Sequence, residues 1–336
     1  MLLGDWGDVL TVDLLEDEGY KTSEIEGYSL DKELIRVSLR RCLGLKARYR
    51  KVEPQEYGVA EMLVALMESF DRPLDDATLH LWHEMLMNGR RDLAVGRYRD
   101  HPEPMQIVSG PEWQLQVHYE APPSEQVPRE MERFVQWFNE TAPKGERPLP
   151  ALTRAGLAHL YFVSIHPYED GNGRIARALS QKAIYQNLGE PTYPVLSQVF
   201  QATRQDYYNR LEISQRRLSA GSWLEYFVDA AIQAQKNSLE LAGFAFEKQR
   251  LGKNVREIGI NERQSNALNW LLGCRLEIIN KGITADDYMR LTDAPPATAT
   301  RDLKDLVSKG ALRSAGALKS TRYWVNIPAP GVSSAK

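Results

Sequence analysis

Between residues 166 and 177 the chain reads His-Pro-Tyr-Glu-Asp-Gly-Asn-Gly-Arg-Ile-Ala-Arg, and most of those side chains can take part in chemistry. One helical pattern ends at Ile165 and another begins near Gly173, so the run is a loop at a helix N-terminus. Free backbone N–H groups and the positive end of the helix dipole favour an anion there. Gly171 and Gly173 let the backbone approach a phosphate closely, and Asn172 adds side-chain donors. Arg174 and Arg177 are three residues apart, share a helix face and can clamp phosphate oxygens. Asp170 offers a hard oxygen ligand suited to Mg²⁺ shared with phosphates. His166, whose ordinary titration lies near neutrality, can take a proton from an attacking hydroxyl. These are the parts of a phosphoryl-type transfer.

The run resembles the signature of the Fic family, H-x-F-x-[DE]-G-N-G-R-x-x-R. His166, Pro167, Asp170, Gly171, Asn172, Gly173, Arg174 and Arg177 fit its usual form. At about 5% per position, chance would produce that agreement with a probability of roughly 10⁻⁸ over the chain. Tyr168 stands where the family usually has Phe, as an aromatic anchor whose hydroxyl needs a partner. The resemblance implies a protein adenylyltransferase that moves AMP from ATP to a Ser, Thr or Tyr hydroxyl of a target protein. It implies His166 as general base, Asp170 as Mg²⁺ ligand and Gly171, Asn172 and Gly173 as an anion hole. Arg174 would meet the β-phosphate and Arg177 the γ-phosphate. A dinucleotide fingerprint over GNGRIA is excluded, because AGLAHLYFVSI before it reads as helix rather than strand. No Walker-type phosphate loop is present.

Upstream, Thr22-Ser-Glu-Ile-Glu26-Gly27 matches the family's inhibitory pattern [ST]-x-x-x-E-[GN]. The resemblance implies that Glu26 pairs with Arg177 in place of the γ-phosphate, a carboxylate acting as phosphate surrogate. Met105, Gln106, Ile107 and Val108 correspond to the family's flap, whose edge would align a target segment as an added strand. Tyr207 and Tyr208, with Gln215 further along the helix, fall where the family shapes its adenine pocket. The histidines at 80, 83, 101, 118 and 159 lack metal-binding spacing.

These residues need elements to position them. Helical periodicity predicts helices at 30–43, 59–70, 74–88, 128–140, 152–165 and 173–188, with Leu30, Leu34 and Val37 on the apolar face of the first. Two β-prone runs, Met105–Val108 and Leu115–Tyr119 around a Ser-Gly-Pro turn, predict a small hairpin. From 262 onward, helices at 262–272, 284–291 and 298–309 precede strands around 311–313 and 322–325, the winged-helix pattern. The expected fold is therefore mainly α, a Fic-type helical bundle with a hairpin flap and a C-terminal winged helix. Expected boundaries are an N-terminal segment with the inhibitory helix at 1–50, a catalytic core at 51–240, a connecting helix at 241–261, the winged helix at 262–328 and a disordered tail at 329–336.

At 336 residues, with 43% hydrophobic and 26% charged residues, the composition is that of a globular chain of about two domains. No apolar run is long enough to span a membrane and the opening residues lack a basic leader, so a cytoplasmic protein is expected. Cys42 and Cys274 are read as core thiols rather than a disulfide. In the winged helix, Arg301, Lys304, Lys309, Arg313, Lys319 and Arg322 could meet DNA phosphates or a protein partner, although Asp302 and Asp305 interrupt the basic face. A net charge of −3 gives no global pull toward nucleic acid, and a homodimer stays open. Rival functions are removal of AMP, transfer of another nucleotide-derived group, and a DNA-binding regulator with a sensory Fic core.

Overall fold

Apolar residues at helical spacing dominate the sequence, and helices dominate the structure. The computed structural model describes residues 4–109, 116–192, 194–255, 259–273, 276–317 and 320–327. The turn at Gly110-Pro111, Leu115, Cys274, Lys319 and the tail at 329–336 lie outside them. The chain divides into two compact units, Gly7–Ser238 and Met1–Trp6 together with Leu239–Lys336.

The larger unit contains α1 (Gly4–Ile25), α2 (Lys32–Cys42), α3 (Pro54–Glu68), α4 (Asp76–Leu86), α5 (Val127–Glu140), α6 (Ala151–Ile165), α7 (Asn172–Leu188), α8 (Leu196–Ala202), α9 (Arg204–Arg217) and the start of α10 (Gly221–Val255). Strands β1 (Gln106–Ser109) and β2 (Gln116–Glu120) form an antiparallel hairpin with a register shift at Ile107/Val108. Helix boundaries follow local chemistry. Asp31 caps α2 and Asp75 caps α4, each accepting backbone N–H groups. Gly171 and Gly189 bracket α7 at φ +84° and +81°, values that glycine adopts without strain.

Helix α7 is buried almost all round, from Asn172 through Tyr185, so side chains on every face of it point into protein. Helix α6 lies along it, and Ser180 on α7 donates to the Ala155 carbonyl at 3.1 Å. Helix α10 crosses α6 at Gly156, whose carbonyl accepts from Trp223 Nε1 at 2.7 Å. The cations buried here are held by carbonyl oxygens. Lys182 Nζ donates to the Ser69 and Phe70 carbonyls at the end of α3 (2.8 and 3.0 Å), and burial lowers its pKa to about 8. Arg154 reaches the Phe138 carbonyl (2.8 Å) and Gln186 (2.7 Å), with its guanidinium over the Phe138 ring.

One predicted face is matched only in part. Helix α2 buries Ile35, Val37, Ser38 and Leu39, while Leu34 is only half-buried. Leu30, Val37 and Cys42 of the expected face do pack on the core, while ion pairs link α2 to α1, where Arg36 meets Asp13 (2.6 Å) and Glu16 (2.8 Å) and Lys32 meets Asp17 (3.0 Å). Cys42 is half-buried against the core and free of any disulfide.

The smaller unit holds α11 (Glu262–Gly273), α12 (Leu276–Lys281), α13 (Ala285–Thr292), α14 (Pro296–Ser308), β3 (Leu312–Ala315) and β4 (Arg322–Val325). Helix α12 adds to the expected order, and an isolated bridge from Ile283 to Tyr323 extends the β3–β4 hairpin. Leu268, Leu271, Tyr288, Leu303, Leu306 and Val325 form its core. Asp302 does not interrupt an outward basic face as expected. It is buried at 3% exposure, where it accepts from Arg263, Asn261 and Tyr288. Asp305 pairs with Lys309 at 2.7 Å, and Thr300, Arg301 and Lys304 stay exposed.

Gly156 tests the α6–α10 crossing. A Cβ there would lie 2.8 Å from Leu224 Cδ2 and 3.1 Å from the Phe227 ring. Overpacking of about 1–3 kcal/mol, offset by about 1 kcal/mol gained on replacing a helical glycine, means that Gly156→Ala should lower stability by up to about 2 kcal/mol in urea denaturation. A variant more stable than wild type would mean that α10 yields at no cost.

Candidate active site

The left-handed turn that ends α6 starts the site. His166 occupies it at φ 51°, ψ 59°, donating its own N–H to the Phe162 carbonyl. A non-glycine residue in this region is held there by its surroundings, here by Arg99. Arg99 Nε donates to the His166 carbonyl at 2.8 Å, and its other nitrogens reach Ile165, Pro122 and Ser124. His166 Nδ1 lies 3.3 Å from the Val163 carbonyl. A carbonyl can only accept, so Nδ1 carries the proton and Nε2 keeps its lone pair. Low-dielectric surroundings push the His166 pKa down to about 4, leaving the ring neutral at pH 7.

The loop after His166 is braced from within. Asn172 donates from Nδ2 to the Tyr168 carbonyl (2.7 Å), and its Oδ1 accepts the Tyr168 N–H (3.0 Å). Its side-chain oxygen and one of its two amide N–H groups are thus engaged on the loop. Tyr168 is fully buried, and its hydroxyl finds the needed partner in His80 Nδ1 at 3.0 Å. Its ring stacks on His83 at 4.1 Å, and His83 Nδ1 accepts the Gly96 N–H at 3.0 Å. Both histidines therefore support the loop. Among the described residues no group of three or more His, Cys, Asp or Glu side chains could hold a metal.

Arg177 lies one turn into α7 at 1% exposure. Its Nε donates to Thr22 Oγ1 (2.6 Å), and Nη2 donates to the Thr22 carbonyl (2.9 Å) and to Glu26 Oε1 (2.6 Å). Burial alone would lower its pKa, and the Glu26 carboxylate outweighs that and raises it. Gly27 ends α1 at φ +85°, which lets Glu26 turn toward α7. The carboxylate rests against Gly173, where an added Cβ would overlap Glu26 Oε1. An anion cradle thus exists at the start of α7, and Glu26 lies in it. Arg174, 4% exposed, donates to Asp170 Oδ1 at 3.1 Å, while its Nε–H has no partner among the described residues. Burial would raise the Asp170 pKa, but the Arg174 guanidinium, the Tyr28 hydroxyl, the Gly171 N–H and Arg90 hold it below the ordinary value. An ionised carboxylate beside unpaired guanidinium N–H groups and helix-start amides fits a phosphate-bound Mg²⁺, which commonly takes only one or two protein carboxylates.

A cavity of about 670 Å³ opens onto these groups, lined by Glu26, His166 and Gly173 at one end and by Ile107, His118, Tyr119, Leu211, Glu212 and Gln215 elsewhere. Of the two expected aromatic residues, Tyr208 is 37% exposed, lines the cavity and donates to the Ile25 carbonyl at 3.4 Å. Tyr207 also borders the cavity but is 1% exposed, accepting from Arg177 Nη1 (3.3 Å) and meeting His159 Nε2 (2.9 Å) while it stacks on Phe200. Met105 precedes β1, its carbonyl accepting from the Ala121 N–H, and Gln106, Ile107 and Val108 lie in the strand. Strand β2 is tied to α9. Arg216 donates to the Val117 and His118 carbonyls, and His118 Nδ1 meets Glu212 at 2.8 Å. Sequence reasoning missed Tyr28, Arg90 and Arg99. Tyr28 directly follows the inhibitory pattern, whereas Arg99 and Arg90 sit in a loop without a motif.

Comparison with known proteins bears on the same segment. Residues 73–184 match the Fic/DOC family. A protein adenylyltransferase Fic of Nematostella vectensis is 27% identical over 196 residues, 57% of this chain and 41% of that protein. Protein adenylyltransferase fic-1 of Caenorhabditis elegans is 36% identical over 90 residues, 27% of this chain and 16% of that protein. The chain thus spans less than half of either relative. The crystal structure of a Fic family protein from Desulfovibrio desulfuricans G20 aligns with a TM-score of 0.54 at 19% identity, over 94% of this chain and 87% of that one, a likeness of fold.

The site's histidines make stability depend on pH. His83 and His166 are lowered to about 4, and His159 well below 6.5, all chiefly by burial. Unfolding would restore their ordinary affinity for protons, so the unfolded chain binds more protons than the folded one between about pH 6.5 and 4. Buried Glu18, whose pKa is raised, works partly against them. The urea midpoint should fall as pH drops from 7 to 5, and a flat midpoint would contradict this account.

Proposed function

We propose that this chain, which is a Fic-domain protein, transfers AMP from ATP to a hydroxyl side chain of a target protein and is restrained by its own Glu26. The observation that supports this best is a cavity bordered by both His166 and Gly173 at the start of α7, together with a carboxylate from α1 that lines it and pairs with the buried Arg177. The triphosphate would displace Glu26 and take up the Arg177 N–H groups, with Gly173 leaving room and the unpaired Arg174 Nε–H donating to it. His166 Nε2 would accept the proton of the target hydroxyl as its oxygen attacks the α-phosphorus and pyrophosphate leaves. Asp170 would hold Mg²⁺, whose charge would offset that of the phosphates.

Other chain residues serve the same reaction. Arg99 would fix His166 through its carbonyl, and Tyr207 would fix Arg177 from behind. Tyr208 and Gln215 would face the base from the cavity wall. Arg216 engages two carbonyls of β2, and β1 is an edge strand of the two-stranded hairpin to which a target segment could add as a strand. The smaller unit would be a winged helix, and its exposed Arg301 and Lys304 could meet nucleic-acid phosphates. No described helix is long and apolar enough to cross a membrane. Consumption of ATP and the free thiol of Cys42 suit a cytoplasmic setting.

Labelled ATP tests the reading. Glu26→Gly should raise incorporation of AMP into the chain or a target at least about tenfold, because a bidentate phosphate site becomes free. Adding His166→Ala should abolish it by about 10²–10⁴-fold. Labelled CDP-choline distinguishes another donor, and release of AMP from a modified target identifies the reverse activity. No incorporation by Glu26→Gly from any donor would sink the transferase reading. The pH profile of kcat/KM for Glu26→Gly should keep its acid limb near pH 4, following the lowered His166, and a limb at 6.5 would mean that the ring titrates at its ordinary value.

A further inference from the structure

Glu26 accounts for only one end of the contact between α1 and the loop. Two residues on, Tyr28 donates its hydroxyl to Asp170 Oδ2 and accepts from Arg90 Nη1 at 2.8 Å. The same Arg90 nitrogen lies 3.2 Å from Asp170 Oδ2, and the Arg174 guanidinium rests over the Tyr28 ring at 4.4 Å. The other oxygen, Oδ1, accepts from the Gly171 N–H (2.5 Å) and from Arg174 (3.1 Å). Both oxygens of this carboxylate are therefore covered by donors. A small divalent cation demands near-ideal octahedral oxygen geometry, and it cannot share a lone pair that an O–H already points at.

Geometry couples the two contacts. The turn that closes α1 is fixed by Gly27 N–H on the Glu24 carbonyl (3.1 Å) and Tyr28 N–H on the Ser23 carbonyl (3.0 Å). One rigid turn thus sets a carboxylate on the buried cation Arg177 and a proton donor on the anion Asp170. Resting on the transferase reading, we propose that Tyr28, with Arg90, occupies the divalent-cation position at Asp170. Inhibition then has two points, and the metal and the terminal phosphate are excluded by one turn. Freeing Arg177 alone leaves Asp170 still covered.

The test is calorimetry of ATP binding to Glu26→Gly/His166→Ala, which clears the phosphate place and prevents turnover, with and without Tyr28→Phe. The quantity read is the ratio of the ATP Kd in EDTA to that in Mg²⁺. Tyr28→Phe keeps the ring on Arg174 and deletes the hydroxyl, so the Kd in EDTA should stay the same while the ratio rises roughly tenfold, the usual weight of a hydrogen bond to a charged group. Arg90→Gln should move the ratio in the same direction, and it carries the test if Tyr28→Phe does not fold. An unchanged ratio in either folded variant, or an equal change in both buffers, overturns the proposal while leaving the transferase reading intact. Failure of the parent variant to bind ATP in both buffers sinks the two together.

Discussion

Arg177 is a guanidinium at 1% exposure, and a charge buried so deeply must be paired or hydrogen-bonded within the protein, because leaving it unmet costs several kcal/mol. Buried Arg154 and Lys182 are met by neutral oxygens, whereas Arg177 is met by a carboxylate, a group that a negatively charged ligand could replace. Glu26 meets the demand from within, assisted by Thr22 through its hydroxyl and carbonyl. The requirement exists because α7 is buried on every side, which places its arginines in the interior. Helices α1, α6, α9 and α10 are arranged around that constraint, and Tyr207, itself enclosed by Phe200 and Trp223, backs the same guanidinium.

The loop from His166 to Gly171 is held by contacts that involve no ligand. Arg99 anchors the carbonyl of a residue in the left-handed region, Asn172 ties the loop to itself, and Tyr168 is set between His80 and His83. These contacts orient His166 so that one ring nitrogen is fixed as donor and the other is left as acceptor. Burial then keeps the ring neutral, as a proton acceptor at physiological pH requires. Position and protonation state thus share one origin, the enclosure of the loop.

The hairpin and α9 form a second, looser assembly at the far side of the cavity. It is joined by polar contacts, His118 with Glu212 and Arg216 with two carbonyls of β2, rather than by a hydrophobic core. Such contacts hold β2 against α9 through hydrogen bonds and one ion pair. The register shift at Ile107/Val108 leaves His118 as the extra residue in β2, so the bend falls in β2, opposite Ile107 on the cavity wall.

Much of this was legible in residue order. Local spacing fixes which side chains of 166–177 share a helix face, where glycine must stand and which elements are helical, because those properties depend on backbone periodicity within a few residues. The pattern at Thr22, Glu26 and Gly27 likewise marked the residues that meet Arg177. Other features arise from contacts between segments far apart in the chain. Asn172 braces its own loop through Tyr168, because that partner is set by the path of the loop. Asp302 turned inward because α11 and α13 supply its partners. The acids that α1 brings against Arg36 and Lys32 of α2 were likewise not legible locally. Tyr28 on Asp170 and Arg99 on His166 join residues 142 and 67 positions apart, a distance over which no local periodicity carries information and only the folded chain decides who meets whom.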